Sequence, residues 1–335
     1  MKQASSLETG LLSSERLHCR MLRKFRNHSE NRLQQQIRSA IERHGAELHE
    51  KVRIADIVEI EKLDSRASGT YALQAHFDFV LIDEDQKAVV AIEFDGPGHG
   101  SSNDDLKNSI CQQADLPLLR IYGFEEVREV NAITLTRYLV ELIFHARIFQ
   151  QMRESGQIAP DEPFTLSAFL KEDAKHIFDS EFDFVANANG KLTKALRQYG
   201  LADGPLPHLG MSHVVLRSPD NRLHAFVSIN STKGPIVGTA TLKVSIPSPG
   251  FLADIGTVSF EIAQFVESMA SDSLLENIRL VGTGAGHVVT HADERLEELK
   301  GLALQGYTLV FGGGGGSSTA NLMGAFAAGR GGKLL

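Results

Sequence analysis

The sequence predicts an α/β protein in two units, and three patterns carry that expectation. Two runs of alternating apolar and polar residues flank a polar turn, His76 to Ile82 and Lys87 to Asp95, which is the mark of paired strands. Upstream, Leu33, Ile37 and Ile41 recur at four-residue spacing, the apolar stripe of a helix. After a long helical stretch, Gly156-Gln-Ile-Ala-Pro-Asp-Glu-Pro163 breaks the chain as a linker does. The resulting division is an arm over 1–28, a first domain over 29–152, a linker over 153–164, an α+β domain over 165–310 and a glycine-rich tail over 311–335. In the first domain, the leading helix precedes the segment Lys51 to Val58, the hairpin, a helix through Asp104 to Lys107, a strand Leu118 to Tyr122 and a long helix from near Val127 to Met152. In the second, helical segments are expected over Leu166 to Phe178 and Lys191 to Tyr199. Strands follow over His213 to Arg217, Leu223 to Ile229 and Gly238 to Ile246, then a helix from about Thr257 to Met269.

The hairpin is the chemical centre of the reading. Phe77, Phe79 and Leu81 share one strand face and Val90, Ile92 and Phe94 another, which leaves His76, Asp78, Glu93 and Asp95 on the opposite faces. An ionised carboxylate withdrawn from water costs several kcal/mol, roughly, unless a cation, a hydrogen-bond network or a metal compensates it. Closing Asp83-Glu-Asp-Gln86 as a two- or four-residue loop sets Asp78 opposite Ala91 and His76 opposite Glu93, so that Asp78 and Glu93 become diagonal neighbours. An odd loop would break that arrangement. Asp78, Glu93 and Asp95 on one face make a hard-oxygen set of the kind that holds Mg²⁺ or Mn²⁺. Asp83, Glu84 and Asp85 read as a solvated turn.

Two further features sit around the hairpin. Glu30 lies three residues before Leu33 at the upper end of the helical stripe, where it points toward the core or answers the helix dipole. Between Arg16 and Arg53 the chain carries ten Lys or Arg against four Glu, a local balance of +6 in a chain whose net charge is −8. Arg23, Lys24 and Arg26 in that segment, and Arg120 in the later strand, are candidates for phosphate contact. Arg120 serves equally well as partner to a site carboxylate.

The run Glu30-Asn-Arg-Leu-Gln-Gln-Gln-Ile-Arg-Ser-Ala-Ile41, Lys51-Val-Arg-Ile-Ala-Asp-Ile-Val58, the hairpin, Gly96-Pro-Gly-His99, Asp104-Asp-Leu-Lys107 and Leu116-Pro-Leu-Leu-Arg-Ile121 resembles the PD-(D/E)XK, or restriction-endonuclease-like, nuclease superfamily. The resemblance is strongest to its bacterial branch known as domain of unknown function 2726, and it extends from about Glu30 to Ile121. It implies an α-β-β-β-α-β core in which the hairpin acids bind Mg²⁺ or Mn²⁺ and water attacks a phosphodiester. Asp78 looks like the acid of the first motif, Glu93 like that of the second, and Glu30 like the acid of the first helix. Asp95 stands where many relatives carry lysine, so the role of orienting water and offsetting phosphate charge falls to His99 or to Lys107, with Lys107 favoured. The function expected is a divalent-metal-dependent endonuclease of defence or repair type acting on DNA. The alternative is a catalytically inactive nuclease fold that binds nucleic acid or another protein; a homodimer stays open.

Composition sets the outer bounds. The 335 residues are 42% hydrophobic and 23% charged, enough for a full core. Cys19 and Cys111 are too few for a disulfide framework or a four-cysteine zinc ribbon. Neither a secretory signal nor a run long enough to span a bilayer is visible, so a cytoplasmic place is expected. Gly312-Gly-Gly-Gly-Gly316 after Thr308-Leu-Val-Phe311 imitates a phosphate loop but has no lysine where one is needed. That run, and Gly282-Thr-Gly-Ala-Gly286, read as flexible chain.

Overall fold

The computed structural model describes residues 28–95, 102–122, 128–170, 175, 180–202, 211–245, 258–285, 288–314, 322 and 326. Helix α1 (His28–Arg43) leads into strand β1 (Glu47–Arg53), two short 3-10 turns, helix α2 (Arg66–Ala72), strands β2 (His76–Ile82) and β3 (Ala88–Asp95), helix α3 (Ser102–Gln113) and strand β4 (Leu118–Tyr122). A small hairpin, β5 (Glu129–Val130) and β6 (Ile133–Thr134), precedes helix α4 (Leu135–Glu154). The chain continues through helix α5 (Phe184–Gln198), strands β7 (Ser212–Arg217), β8 (Arg222–Ser231) and β9 (Gly234–Ser245), helices α6 (Val258–Gly282) and α7 (Val288–Leu304), and strand β10 (Thr308–Gly314). Eight strands form one sheet in the order β1-β2-β3-β4-β9-β8-β7-β10. Among the described strands only the β3–β4 pairing is parallel, and α3 supplies the crossover that a parallel pair requires.

Both faces of the sheet are covered, which makes the fold mixed α/β in three layers. Residues of β2 divide between two clusters: Phe79 and Leu81 pack with α1 and α4, whereas Val80 packs with Ala72 of α2 and Ile110 of α3, and Phe77, expected beside Phe79 and Leu81, joins Val80 instead. On β8, Ala225 and Val227 face α6 while Phe226 joins Leu299 and Ala303 of α7. The boundary expected at 153–164 coincides with the end of α4, yet the sheet runs on across it, because Arg120 and Ile121 of β4 pair with Ser245 and Val244 of β9. Tyr138 of α4 likewise lies against Phe184 and Phe265 of the later helices.

Several elements depart from the sequence expectation for local reasons. The helix expected from Val127 begins at Leu135, because Asn131 and Ala132 take φ +52 and +64 in the turn of the β5–β6 hairpin and Thr134 then caps α4 through Arg137 N. Of the helix expected over Leu166 to Phe178, the described part is a single 3-10 turn, Leu166–Ala168. Helix α6 extends thirteen residues past Met269, to Gly282, which packs so closely on Tyr199 that a Cβ there would meet the ring at 2.3 Å. The glycine run expected as a tail begins as an edge strand: Gly312, Gly313 and Gly314 pair with Val214, His213 and Ser212. Absence of a side chain at Gly313 leaves room for His213, whose Nε2 would sit 3.3 Å from a Cβ at that position. Among the described residues no helix is long and apolar enough to cross a membrane.

Candidate active site

Four charged residues form one row across four adjacent strands. Glu50 pairs with Phe79 and Val52 with Phe77, which sets Lys51 of β1 opposite Asp78 of β2. Phe79 pairs with Ile92, which sets Asp78 opposite Glu93 of β3, and Glu93 in turn pairs with Arg120 of β4. The row therefore reads Lys51, Asp78, Glu93, Arg120, with two acids between two cations. It lies on the face of the sheet that α3 covers, and Lys107 of α3 comes down onto it.

This register corrects the expected one by two residues. The loop between the paired residues Ile82 and Ala88 is odd, closed by Asp83 N to Lys87 O at 2.9 Å and Gln86 N to Asp83 O at 3.0 Å, with Gln86 at φ +61. A one-residue bulge between Leu81 and Ile82 restores the alternation, so the acids keep a common face although the loop length alone would have separated them. Asp78 and Glu93 become direct rather than diagonal neighbours. His76 is exposed, and its contribution to the site is its carbonyl oxygen.

Each carboxylate is held by its own lysine. Lys51 Nζ donates to Asp78 Oδ1 at 2.6 Å, and Asp78 Oδ2 accepts from Phe94 N at 2.9 Å. Lys107 Nζ lies 2.8 Å from Glu93 Oε1 and also donates to His76 O at 3.0 Å, while its ammonium stands 5.6 Å from the centre of the Phe77 ring. Asp78 N donates to Glu93 Oε1 at 3.3 Å, which ties the two acids together. Glu93 is 8% exposed and Lys107 7%, so this pair is effectively internal. Burial raises the pKa of Glu93; Lys107 opposes the shift and the neighbouring charge of Asp78 adds to it.

Arg120 and Tyr71 complete the surroundings. The Arg120 guanidinium is 3% exposed; Nε donates to Asn108 Oδ1 at 3.1 Å and Nη1 to Asp104 Oδ1 at 3.3 Å. A phosphate in solvent cannot easily reach it, so of its two expected roles the structure favours partner to carboxylates, fastening α3 to β4. The pKa of Tyr71 is raised by burial and then by the charges of Glu93 and Asp104, which marks its hydroxyl as a neighbour of the row. Cys111 is buried nearby and burial pushes its thiol up to about 12, which leaves it chemically quiet.

The remaining sequence candidates divide simply. Glu30 lies in α1 and Asp95 in β3, but their side chains fall outside the described residues, as do His99, Arg23, Lys24 and Arg26 altogether. Lys51 is the member that sequence reasoning missed. Its signal was indirect, because a lysine between Glu50 and Val52 in an exposed strand looks solvated until the register sets it against Asp78. It takes φ +52, a left-handed conformation uncommon for lysine.

The donor set suits a hard divalent cation. Two carboxylates adjoin, and Glu93 Oε2 accepts no hydrogen bond from a described side chain. Asp78 and Glu93 are the residues that could hold such an ion, and the lysine ammoniums are placed to meet anionic oxygen beside it. No curated protein and no solved structure matches the chain. Residues 23–134, the segment that contains every member of this row and its surroundings, match the model of the family described as protein of unknown function (DUF2726).

Proposed function

We propose that the chain is a divalent-metal-dependent nuclease of the PD-(D/E)XK type that hydrolyses phosphodiester bonds of DNA. The observation that carries this reading is the row Asp78–Glu93 with Lys107 delivered onto Glu93 from α3. The order α1, β1, α2, β2, β3, α3, β4, with β3 and β4 parallel, differs from the expected α-β-β-β-α-β order by the short helix α2 and supports the reading. Asp78 and Glu93 would hold Mg²⁺ or Mn²⁺, which would supply Lewis-acid stabilisation of phosphate charge and a more acidic water. Lys107 stands in for the lysine that Asp95 replaces: its ammonium, 2.8 Å from Glu93, orients water and offsets negative charge there. Lys51 steadies Asp78 through the 2.6 Å contact of its ammonium with Oδ1.

Cleavage of supercoiled, linear and single-stranded DNA and of RNA in Mg²⁺ or Mn²⁺ tests the reading. The wild type is expected to cut DNA, to stop when the metal is chelated, and to lose at least a hundredfold, roughly, in the Glu93→Gln and Asp78→Asn variants. A second reading, an inactive nuclease fold that binds nucleic acid or protein, draws on the fact that each acid is already paired with a lysine. Salt-sensitive binding without metal-dependent cleavage would select it.

A further inference from the structure

A second cluster lies away from the row, between the end of α1 and the middle of α4. Glu141 and His145 are one turn apart on α4, the spacing that puts two side chains on one helix face. His44, just past the end of α1, faces them. One ligating atom from each of the three falls within 4.8 Å of the other two. His44 Nε2 is 2.8 Å from Glu141 Oε2 and His145 Nε2 is 3.6 Å from the same oxygen.

The second of those distances is the informative one. At 3.6 Å it exceeds a hydrogen bond, and Nδ1 of the same ring is buried without a hydrogen-bond partner among the described residues. A largely buried imidazole without a hydrogen bond of its own calls for an explanation. Atoms bound to one tetrahedral Zn²⁺ at about 2.0–2.1 Å lie roughly 3.4 Å from each other, which the spacing of the cluster approaches. We propose that His44, Glu141 and His145 form a binding site for a transition-metal dication of the Zn²⁺ class, with water in the fourth position.

The surroundings set these three side chains in place before any ion arrives. The His44 ring stacks on Phe144 at 4.4 Å with the planes 3° apart, and His145 packs against Phe169 at 4.4 Å. Glu141 is fully buried, and its other oxygen, Oε1, lies 3.0 Å from Arg43 Nη1, which turns Oε2 toward the two imidazoles. The guanidiniums of Arg43 and Arg137 are shared with Glu181, at 2.7 and 2.8 Å, so Glu141 does not neutralise them alone. Two imidazole nitrogens and one carboxylate prefer Zn²⁺, Co²⁺ or Fe²⁺ to the Mg²⁺ that suits oxygen-only ligands. An ion here would pin the end of α1 to α4, on the sheet face opposite the charged row.

Titrating the chelator-stripped full chain with Co²⁺ tests the site. The expected result is one equivalent of Co²⁺ giving the visible d–d bands of a four-coordinate ion, bleached by one equivalent of Zn²⁺. His145→Phe keeps the ring packing and removes the nitrogens, and it should weaken Zn²⁺ binding by more than about tenfold, as should His44→Ala. Glu93→Gln should leave the bands unchanged, which separates this ion from one held by the row. A folded wild type with no Co²⁺ spectrum beyond that of the hydrated ion, or bands that persist in the His44→Ala/His145→Phe double variant, overturns the proposal.

Discussion

At the scale of single residues, the Glu93–Lys107 pair decides most. Both side chains are about one-tenth exposed or less, and they lie 2.8 Å apart. Removing one partner of a buried pair strands the other charge, at a cost of about 3–5 kcal/mol, whereas replacing both with neutral groups costs much less. Lys107→Met should therefore destabilise the chain by that order in a denaturant titration. Adding Glu93→Gln to it should recover most of the loss, and a Lys107→Met variant as stable as wild type would mean the pair is not held in solution. Turnover, measured where both proteins remain folded, should fall about a hundred- to thousandfold in Lys107→Met. The acids were legible in the sequence because a carboxylate inside an apolar alternating run is anomalous. Lys51 was not, since nothing but strand register brings it to Asp78.

Among the elements, α6 carries the least expected chemistry. It is packed so tightly on β9 that a Cβ at Gly238 would meet Ala270 O at 2.2 Å, and it buries two acids, one beside Tyr138 of α4 and one beside His213 of β7. Glu261 accepts from Tyr138 Oη at 3.3 Å and from Leu166 N at 3.2 Å; Glu267 lies 3.3 Å from His213 Nδ1. Burial raises both from 4.5 to about 7. Between those values the folded chain keeps a proton that the unfolded chain releases, so stability falls as pH rises through the window. Glu267→Gln should thus raise the thermal midpoint at pH 8 and leave it nearly unchanged at pH 4.5, a difference worth up to about 3 kcal/mol. An equal effect at both pH values would show that Glu267 is ionised throughout. The helix itself was legible from its apolar run. Its extension to Gly282 was not, because the contact of Gly282 with Tyr199 that continues the packing is tertiary. The loop and bulge of the β2–β3 hairpin make the same point: the even loop expected from the sequence is odd, and the acids keep a common face only through a bulge that depends on the partner strand.

For the whole molecule, charge and cooperativity are the measurable consequences. A chain of net charge −8 with +6 concentrated between Arg16 and Arg53 should hold a polyanion through that segment. Exchanging Arg23, Lys24 and Arg26 for Glu should weaken DNA binding and flatten its salt dependence, by about one unit of slope per lost contact; an unchanged slope in the folded variant places the contacts elsewhere. Cooperativity follows from the sheet. Sequence patterns divide the chain at a linker because composition changes there, but composition carries no record of strand pairing. Strand β4 borders β9, and one apolar cluster holds Leu33, Phe79 and Tyr138 together with Phe184, Val227 and Phe265. Cutting the chain after residue 154 would bare the edge of β4 and the inner face of α4, and an unpaired hydrophobic edge promotes aggregation. Calorimetry of the full chain should accordingly give one transition rather than two, and a fragment spanning residues 28–154 should be insoluble or unfolded. A soluble fragment that melts at the midpoint of the full chain would show instead that the first four strands stand alone, and that the β4–β9 pairing contributes little to the stability of the site-bearing half.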